Sequence, residues 1–190
     1  MNQVNSILKT ISNLIFGKNP SSLDIVLGII SSLIIPIFLF GLIIQSKVHW
    51  SLFQIIIALE MGFDLGGGMV VNMMRSTKAF YHTQSSNEDP WIANVLRKPL
   101  LFIGLHIYPI LVYGFFEPSK LLYGFIWYGL LLAFAYLILK SPKQTQYPSS
   151  ILCVLIAIVI NSFIINPVYG FEWLIPVLYI KLLVGRLIEG

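Results

Sequence analysis

The sequence predicts an all-α, polytopic membrane helix bundle: six transmembrane helices preceded by a short amphipathic interfacial helix. The chain has 190 residues, of which 57% are hydrophobic and only 11% are charged. Its mean hydropathy is +0.84, whereas soluble domains carry about 25% charged residues. A soluble core could not absorb this much apolar surface, so the bilayer must be the solvent. We expect residues 1–190 to form one integral membrane domain.

Six apolar runs account for most of the chain, and each approaches the roughly 20 residues that cross a bilayer. The predicted spans are about 25–45, 51–74, 99–116, 120–139, 149–166 and 171–188. The N-terminal segment, 1–23, differs from them. Within it, residues 4–16 place apolar side chains at helical spacing opposite polar ones, which predicts a helix lying on the membrane surface.

The basic residues are distributed unevenly between the two sides of these spans. Ten of the 12 fall on one side, in the N-terminal segment, the 75–98 and 140–148 loops and the C-terminal end; Lys47 and Lys120 fall on the other. Lys and Arg collect in cytoplasmic loops, so both termini are predicted to be cytoplasmic, N-in/C-in. We expect Lys181 and Arg186 to snorkel to that surface. The abundance of Ile, Asn and Lys is typical of AT-rich bacterial genomes and favours a bacterial plasma membrane.

The second span carries two carboxylates, Glu60 and Asp64, where a lipid-facing sequence should be uniformly apolar. An ionisable side chain at the bilayer centre costs at least about 2.5–3.5 kcal/mol on insertion scales. Such residues therefore serve as proton relays or ion sites, or else hold helices together by hydrogen bonds. Glu60, Asp64, Gly67/Gly68 and Asn72 recur at spacings of three and four, which places them on one helix face.

The same span contains a run of glycines with two separable interpretations. Gly62 and Gly66 form a Gly-x-x-x-Gly step, which predicts close helix packing and offers a surface for oligomerisation. Gly66, Gly67 and Gly68 each weaken a helix by about 1 kcal/mol relative to Ala. They are candidates for a hinge, or for an unwound segment whose carbonyls bind a ligand.

Two further polar residues lie inside predicted spans. His106 falls at about the depth of Asp64 in the third span, so a His–carboxylate pair suited to proton transfer is a candidate. The alternative is a neutral histidine bonded to a neighbouring helix, for example to the carbonyl freed by Pro109. Asn161, in the fifth span, is either a ligand-binding group or an interhelical hydrogen-bond donor.

Metal chemistry receives little support from the sequence. Glu60, Asp64 and His106 could supply three ligands, but they lack a diagnostic spacing, and the identity of any metal stays open. The lone Cys153 excludes a disulfide within the chain and a cysteine-rich metal site. No cofactor is therefore predicted and no catalytic residue is assigned.

Three classes of function remain open. The first is a plasma-membrane transport protein, a carrier or channel-like protein in which Glu60, Asp64, Asn72, His106 and Asn161 bind a proton, a cation or a small molecule. The second is a membrane-embedded enzyme that modifies a lipid by acid/base or metal chemistry at Asp64 and His106. The third is a non-catalytic partner subunit whose buried polar groups serve assembly. The lipid bilayer is the one partner common to all three; the net charge of +4 reflects loop residues and does not indicate nucleic-acid binding.

Overall fold

The computed structural model of the protein describes residues 15–17, 19–82 and 91–189. Within these ranges the chain is all-helical, without strands. The predicted interfacial helix at 4–16 lies outside the described residues, apart from a helical turn at Ile15 and Phe16. Among the described residues, five helical stretches are long and apolar enough to cross a membrane. The predicted all-α class is therefore confirmed, and these five stretches have the length and composition expected of a membrane protein.

The first two spans form a closely packed antiparallel pair. Helix α1 (Ser22–Ile44) and helix α2 (Leu52–Val71) each begin with a reciprocal capping box, from Ser21 to Asp24 and from Ser51 to Gln54. Each box satisfies two of the backbone N–H groups that a helix start leaves without partners. The serines thus define both helix starts, at Ser22 and Leu52.

Glycines set the distance between α1 and α2. A Cβ added to Gly62 would lie 2.8 Å from Ile35 Cγ2, and one added to Gly66 would lie 2.7 Å from the Ser31 carbonyl oxygen. The Gly-x-x-x-Gly step therefore packs against α1 of the same chain, and both glycines are buried there. Helix α2 is continuous through Gly66, Gly67 and Gly68, so these residues are not unwound.

The next elements lie at one end of the bundle and lead into the third predicted span. Helix α3 (Arg75–His82) follows α2 directly, and helix α4 (Trp91–Leu96) precedes the third span. That span is interrupted: helix α5 (Pro99–Gly104) ends before His106, and helix α6 (Tyr108–Phe116) starts after it. Pro109 removes an N–H donor and crowds the preceding turn. The hydroxyl of Tyr128 donates to the carbonyl of Gly104 at 2.8 Å, which satisfies one group left by the break.

The fourth and fifth spans are long uninterrupted helices. Helix α7 (Leu121–Lys140) follows a single 3₁₀ turn at Pro118–Lys120, and helix α8 is Lys143–Phe163. Helix α8 begins six residues earlier than predicted from hydropathy, since the polar stretch from Lys143 onward is already helical. Many large apolar side chains of α1, α2, α7 and α8 lie on the outer surface of the bundle, as expected for contact with lipid.

The last predicted span lies in the centre of the bundle. Helix α9 (Leu174–Tyr179) continues into a π-helical segment, Ile180–Arg186, whose wider turn is seen in the bond from the Leu187 N–H to the Leu182 carbonyl. The segment contacts α2, α7, α8 and α9. Leu178 through Ile188 are buried almost without a break.

Side-chain contacts identify two opposite ends of the bundle. At the aromatic end, Trp50, Phe116 and Phe171 pack together, with ring centroids 4.6–5.3 Å apart. At the charged end, Glu189 pairs with Lys143 at 3.2 Å and lies 4.0 Å from His82. The stretch from Phe171 to Glu189, here called the central segment, therefore runs from the aromatic end to the charged end.

Gly66 offers a test of the α1–α2 packing. The Gly66→Ala substitution should lower the thermal unfolding midpoint of the detergent-solubilised protein, because the new methyl group meets backbone at Ser31. Overpacking of this kind costs about 1–3 kcal/mol. The matched control is Gly41→Ala in α1, where a Cβ meets no atom within 4 Å. We expect Gly41→Ala to be neutral or stabilising; equal midpoints for the two variants would refute the packing role of Gly66.

Candidate functional site: a buried ion pair beside a cavity

A direct ion pair joins α2 to the central segment. The ammonium Nζ of Lys181 lies 2.6 Å from Oδ2 of Asp64 and 3.3 Å from the Asp64 carbonyl oxygen. The Lys181 side chain is 3% exposed, whereas that of Asp64 is 39% exposed. The lysine is therefore enclosed by protein, whereas part of the Asp64 side chain remains exposed.

Gly68 creates the space that Lys181 occupies. A Cβ added at Gly68 would lie 2.5 Å from Cε of Lys181, so the lysine stem passes directly over the glycine. Lys181 also lies at the start of the π-helical segment, a deviation that is frequent at functional sites. The glycine run thus serves packing against α1 and the passage of a lysine, and not unwinding.

Tyr108 supplies the second donor to the carboxylate. Its hydroxyl donates to the same oxygen of Asp64, Oδ2, at 2.8 Å. Tyr108 is the first residue of α6, immediately after the break in the third span. The break thus begins a new helix with a side chain that reaches α2.

His106 lies next to this pair without joining it. Its Nδ1 is 2.8 Å from the carbonyl oxygen of Phe102, which can only accept a hydrogen bond, so Nδ1 carries a proton. Its ring packs against Tyr108 with centroids 5.5 Å apart. His106 therefore does not pair directly with a carboxylate, as one of the two predictions had it. It bonds to Phe102 in α5, and the residue paired with Asp64 is Lys181.

Beside the ion pair is a cavity of about 540 Å³. Pockets for small molecules typically span about 300–1,000 Å³. The described residues that line it come from the N-terminal turn, α1, α2, α3, α5 and the central segment: Ile15, Phe16, Gly28, Ile29, Ser32, Glu60, Phe63, Asp64, Gly67, Gly68, Val71, Asn72, Tyr81, Phe102 and Lys181. The walls are mostly apolar, and the charged groups are concentrated on α2 and at Lys181.

The remaining candidate residues separate into two groups. Glu60 and Asn72 line the cavity with Asp64, as their shared helix face predicts. Asn72 also donates from Nδ2 to the Lys181 carbonyl at 3.4 Å, which ties the end of α2 to the central segment. Asn161 lies elsewhere: it is buried and donates to the Glu172 carbonyl at 3.3 Å.

A second cation, Arg186, is buried one turn beyond Lys181. Its guanidinium carbon lies 3.7 Å from the ring centroid of Tyr81 and 4.8 Å from that of Phe102, and Nη2 donates to the Leu96 carbonyl. The prediction that Lys181 and Arg186 snorkel to the surface is wrong, because each residue is only 3% exposed. Both lie within Leu178–Ile188, a stretch that other parts of the protein enclose almost without a break.

The titratable groups near Arg186 on α3 respond to its charge. Burial raises the pKa of the Tyr81 phenol, although the Arg186 guanidinium opposes this effect. Burial and the same guanidinium lower the pKa of His82 below its ordinary value, while Glu189 opposes the change. A neutral Tyr81 ring is consistent with its role as the face on which Arg186 rests.

The described residues of this region do not form a cluster of metal ligands. Among the residues that the structure describes, no three His, Cys, Asp or Glu side chains come together as ligands. Comparisons with family models, with curated proteins and with solved structures each find no match.

The ion pair can be tested by removing its members singly and together. Asp64→Asn leaves the Lys181 ammonium buried without a counter-ion and should destabilise the protein. Breaking a buried pair costs about 3–5 kcal/mol, and we expect a value near the lower limit because Asp64 stays partly exposed. The double variant Asp64→Leu/Lys181→Met should recover most of the loss in a thermal unfolding assay. Additive losses in the double variant would show that the two residues do not interact.

Proposed function

We propose that this chain is a small membrane carrier in which the Asp64–Lys181 pair binds and releases a proton beside a ligand cavity. The observation that carries the proposal is the position of this pair, in the cavity wall and between the two ends of the bundle. A buried ion pair adds little to the stability of a protein, because replacing it with well-packed apolar residues of similar volume often leaves the protein equally stable or more stable. Intramembrane ionisable residues instead mark proton and ion pathways.

The chemistry needed for coupling is a single protonation. When Asp64 takes up a proton, its carboxylate becomes a neutral carboxylic acid and its attraction for the Lys181 ammonium is lost. The total charge of the cavity wall rises by one unit, so a charged ligand binds with a different affinity in the two protonation states. By linkage, bound ligand alters proton affinity by the same factor. Tyr108 can serve both states, because its hydroxyl donates to the carboxylate and can accept from the acid.

We further infer six membrane crossings with both termini in the cytoplasm of a bacterial plasma membrane. The charged end of the bundle supports this topology. Gly17, near the N-terminus, lies against the backbone of Ser76 and Thr77 in α3, and Glu189 meets Lys143 at the same end. Removal of the buried Lys181 and Arg186 from the count of basic residues leaves the bias between the two sides intact.

A lipid-modifying enzyme is the second candidate function. The observation that favours it is the proximity of three proton-carrying side chains: Asp64 lines the cavity, Tyr108 donates to Asp64, and His106 packs against Tyr108. In that case the phenol and carboxylate would act as an acid/base pair on a lipid headgroup. Chemical change in an added lipid, lost in Tyr108→Phe, would favour this function over the carrier.

Proton movement in liposomes tests the carrier. With a potassium diffusion potential, negative inside, we expect the wild-type protein to acidify the lumen at least tenfold faster than protein-free vesicles, as measured with an entrapped pH dye. Asp64→Asn should reduce the rate to that of empty vesicles. Gly68→Ala should reduce it as well, because the added methyl group displaces Lys181 without removing a charge.

Two controls match these variants. Glu117→Gln removes a carboxylate whose ion pair with Lys120, at 2.6 Å, lies away from the cavity, and Gly41→Ala adds a methyl group to open space. Both should transport protons like the wild type. A wild-type rate no greater than that of empty vesicles, or an unchanged rate in Asp64→Asn, would overturn the carrier.

A further inference from the structure

We propose that the cavity binds a lipophilic organic cation, a molecule whose positive charge is carried on an apolar body. This proposal names the ligand of the carrier and rests on the proposed function for its transport role. Among the described lining residues, the charged groups are Glu60, Asp64 and Lys181. One ammonium faces two carboxylates, so the described lining residues themselves carry an excess negative charge, and Arg186 lies behind the rings of Tyr81 and Phe102. In a medium of low dielectric such an excess attracts a cation and rejects an anion.

Glu60 is the group that stays uncompensated. Its side chain is exposed at the cavity, and no ion pair or hydrogen bond links it to another residue in the described part of the chain. Glu60 lies one helical turn from Asp64 on the same face of α2. A cation between these two positions would be near both carboxylates.

Asp64 also has capacity for a second cation contact. Lys181 and Tyr108 both donate to Oδ2, and within the described ranges no donor reaches Oδ1. A carboxylate offers about four lone-pair sites over its two oxygens. Because 39% of this side chain is exposed, Oδ1 can accept from a ligand while Lys181 remains in place.

Aromatic rings complete the chemistry expected for an organic cation. Four aromatic residues are among the described residues that line the cavity: Phe16, Phe63, Tyr81 and Phe102. Ring faces attract cations, and aromatic cages bind quaternary ammonium groups. Arg186 already lies over Tyr81 and Phe102. We therefore assign the ligand contact to Phe16 and Phe63, which carry no cation among the described residues.

The position of the cavity indicates that the ligand has an apolar body. Ile29 and Phe63 line the cavity and also lie on the outer surface of the bundle, 51% and 55% exposed. The cavity therefore borders the surface that faces lipid, and a ligand dissolved in the bilayer can reach Glu60 directly. A lipophilic cation partitions into that region, whereas a small hydrated cation does not.

Two probe ions of the same shape and opposite charge provide the test. We expect the full-length protein in lipid nanodiscs to bind tetraphenylphosphonium saturably in an equilibrium assay, and to bind tetraphenylborate at least tenfold more weakly. Glu60→Gln should weaken tetraphenylphosphonium binding at least tenfold, and Phe63→Ala should weaken it several-fold. Glu117→Gln is the matched control and should bind like the wild type. Each variant is first checked for a wild-type elution profile and unfolding midpoint.

The outcomes separate this proposal from the carrier itself. Preference for tetraphenylborate, no saturable binding of either ion, or full binding by Glu60→Gln would overturn the cation site. If these occur while Asp64 still controls proton movement in liposomes, the carrier stands without this ligand class. If Glu60-dependent binding occurs without proton movement in the wild type, the ligand site stands and the carrier falls.

Discussion

The contact between Lys181 and Asp64 is the interaction on which the rest of the arrangement depends. A lysine enclosed by protein within a membrane bundle needs a counter-ion. In the part of the chain that the structure describes, α2 provides it, with Asp64 at 2.6 Å. To reach it, the lysine stem must cross α2 at a residue without a side chain, and Gly68 is that residue. The same α2 must lie close to α1, which Gly62 and Gly66 permit. One helix face thus bears packing glycines and the adjoining face bears the charges.

The central position of the last helix determines which partners its two cations have. Lys181 and Arg186 on a peripheral helix could have extended along lipid toward water. Enclosed by α2, α7 and α8, they must find partners inside the protein instead. Lys181 pairs with a carboxylate, whereas Arg186 packs over two aromatic rings and donates to a carbonyl group. The two cations therefore contact different elements: Lys181 contacts α2, and Arg186 contacts α3, α4 and α5.

The long apolar helices and the shared helix face of Glu60 and Asp64 could be predicted from the sequence, because both depend on local patterns. Apolar runs of sufficient length predict the helices, and the i, i+4 spacing predicts the shared face. Lys181 was missed because hydropathy does not reveal which helix is central, and snorkelling holds only for a helix with a free side. Asp64 itself was the available signal, because a carboxylate inside a span needs a cation and Lys181 lies inside another predicted span. The bond from His106 to Phe102 was also beyond reach, since it depends on how the chain breaks before Pro109.

The two oxygens of Asp64 provide a physical basis for linking a proton to a second ligand. Lys181 and Tyr108 hold Oδ2, so the charge of the carboxylate is fixed in place while Oδ1 remains accessible. A proton and an organic cation would both be stabilised by that charge, and neither favours the presence of the other. Their binding is therefore antagonistic, and the antagonism is reciprocal. Bound cation should therefore inhibit proton movement through the carrier, and the two donors held on one oxygen of Asp64 leave the other oxygen for this competition.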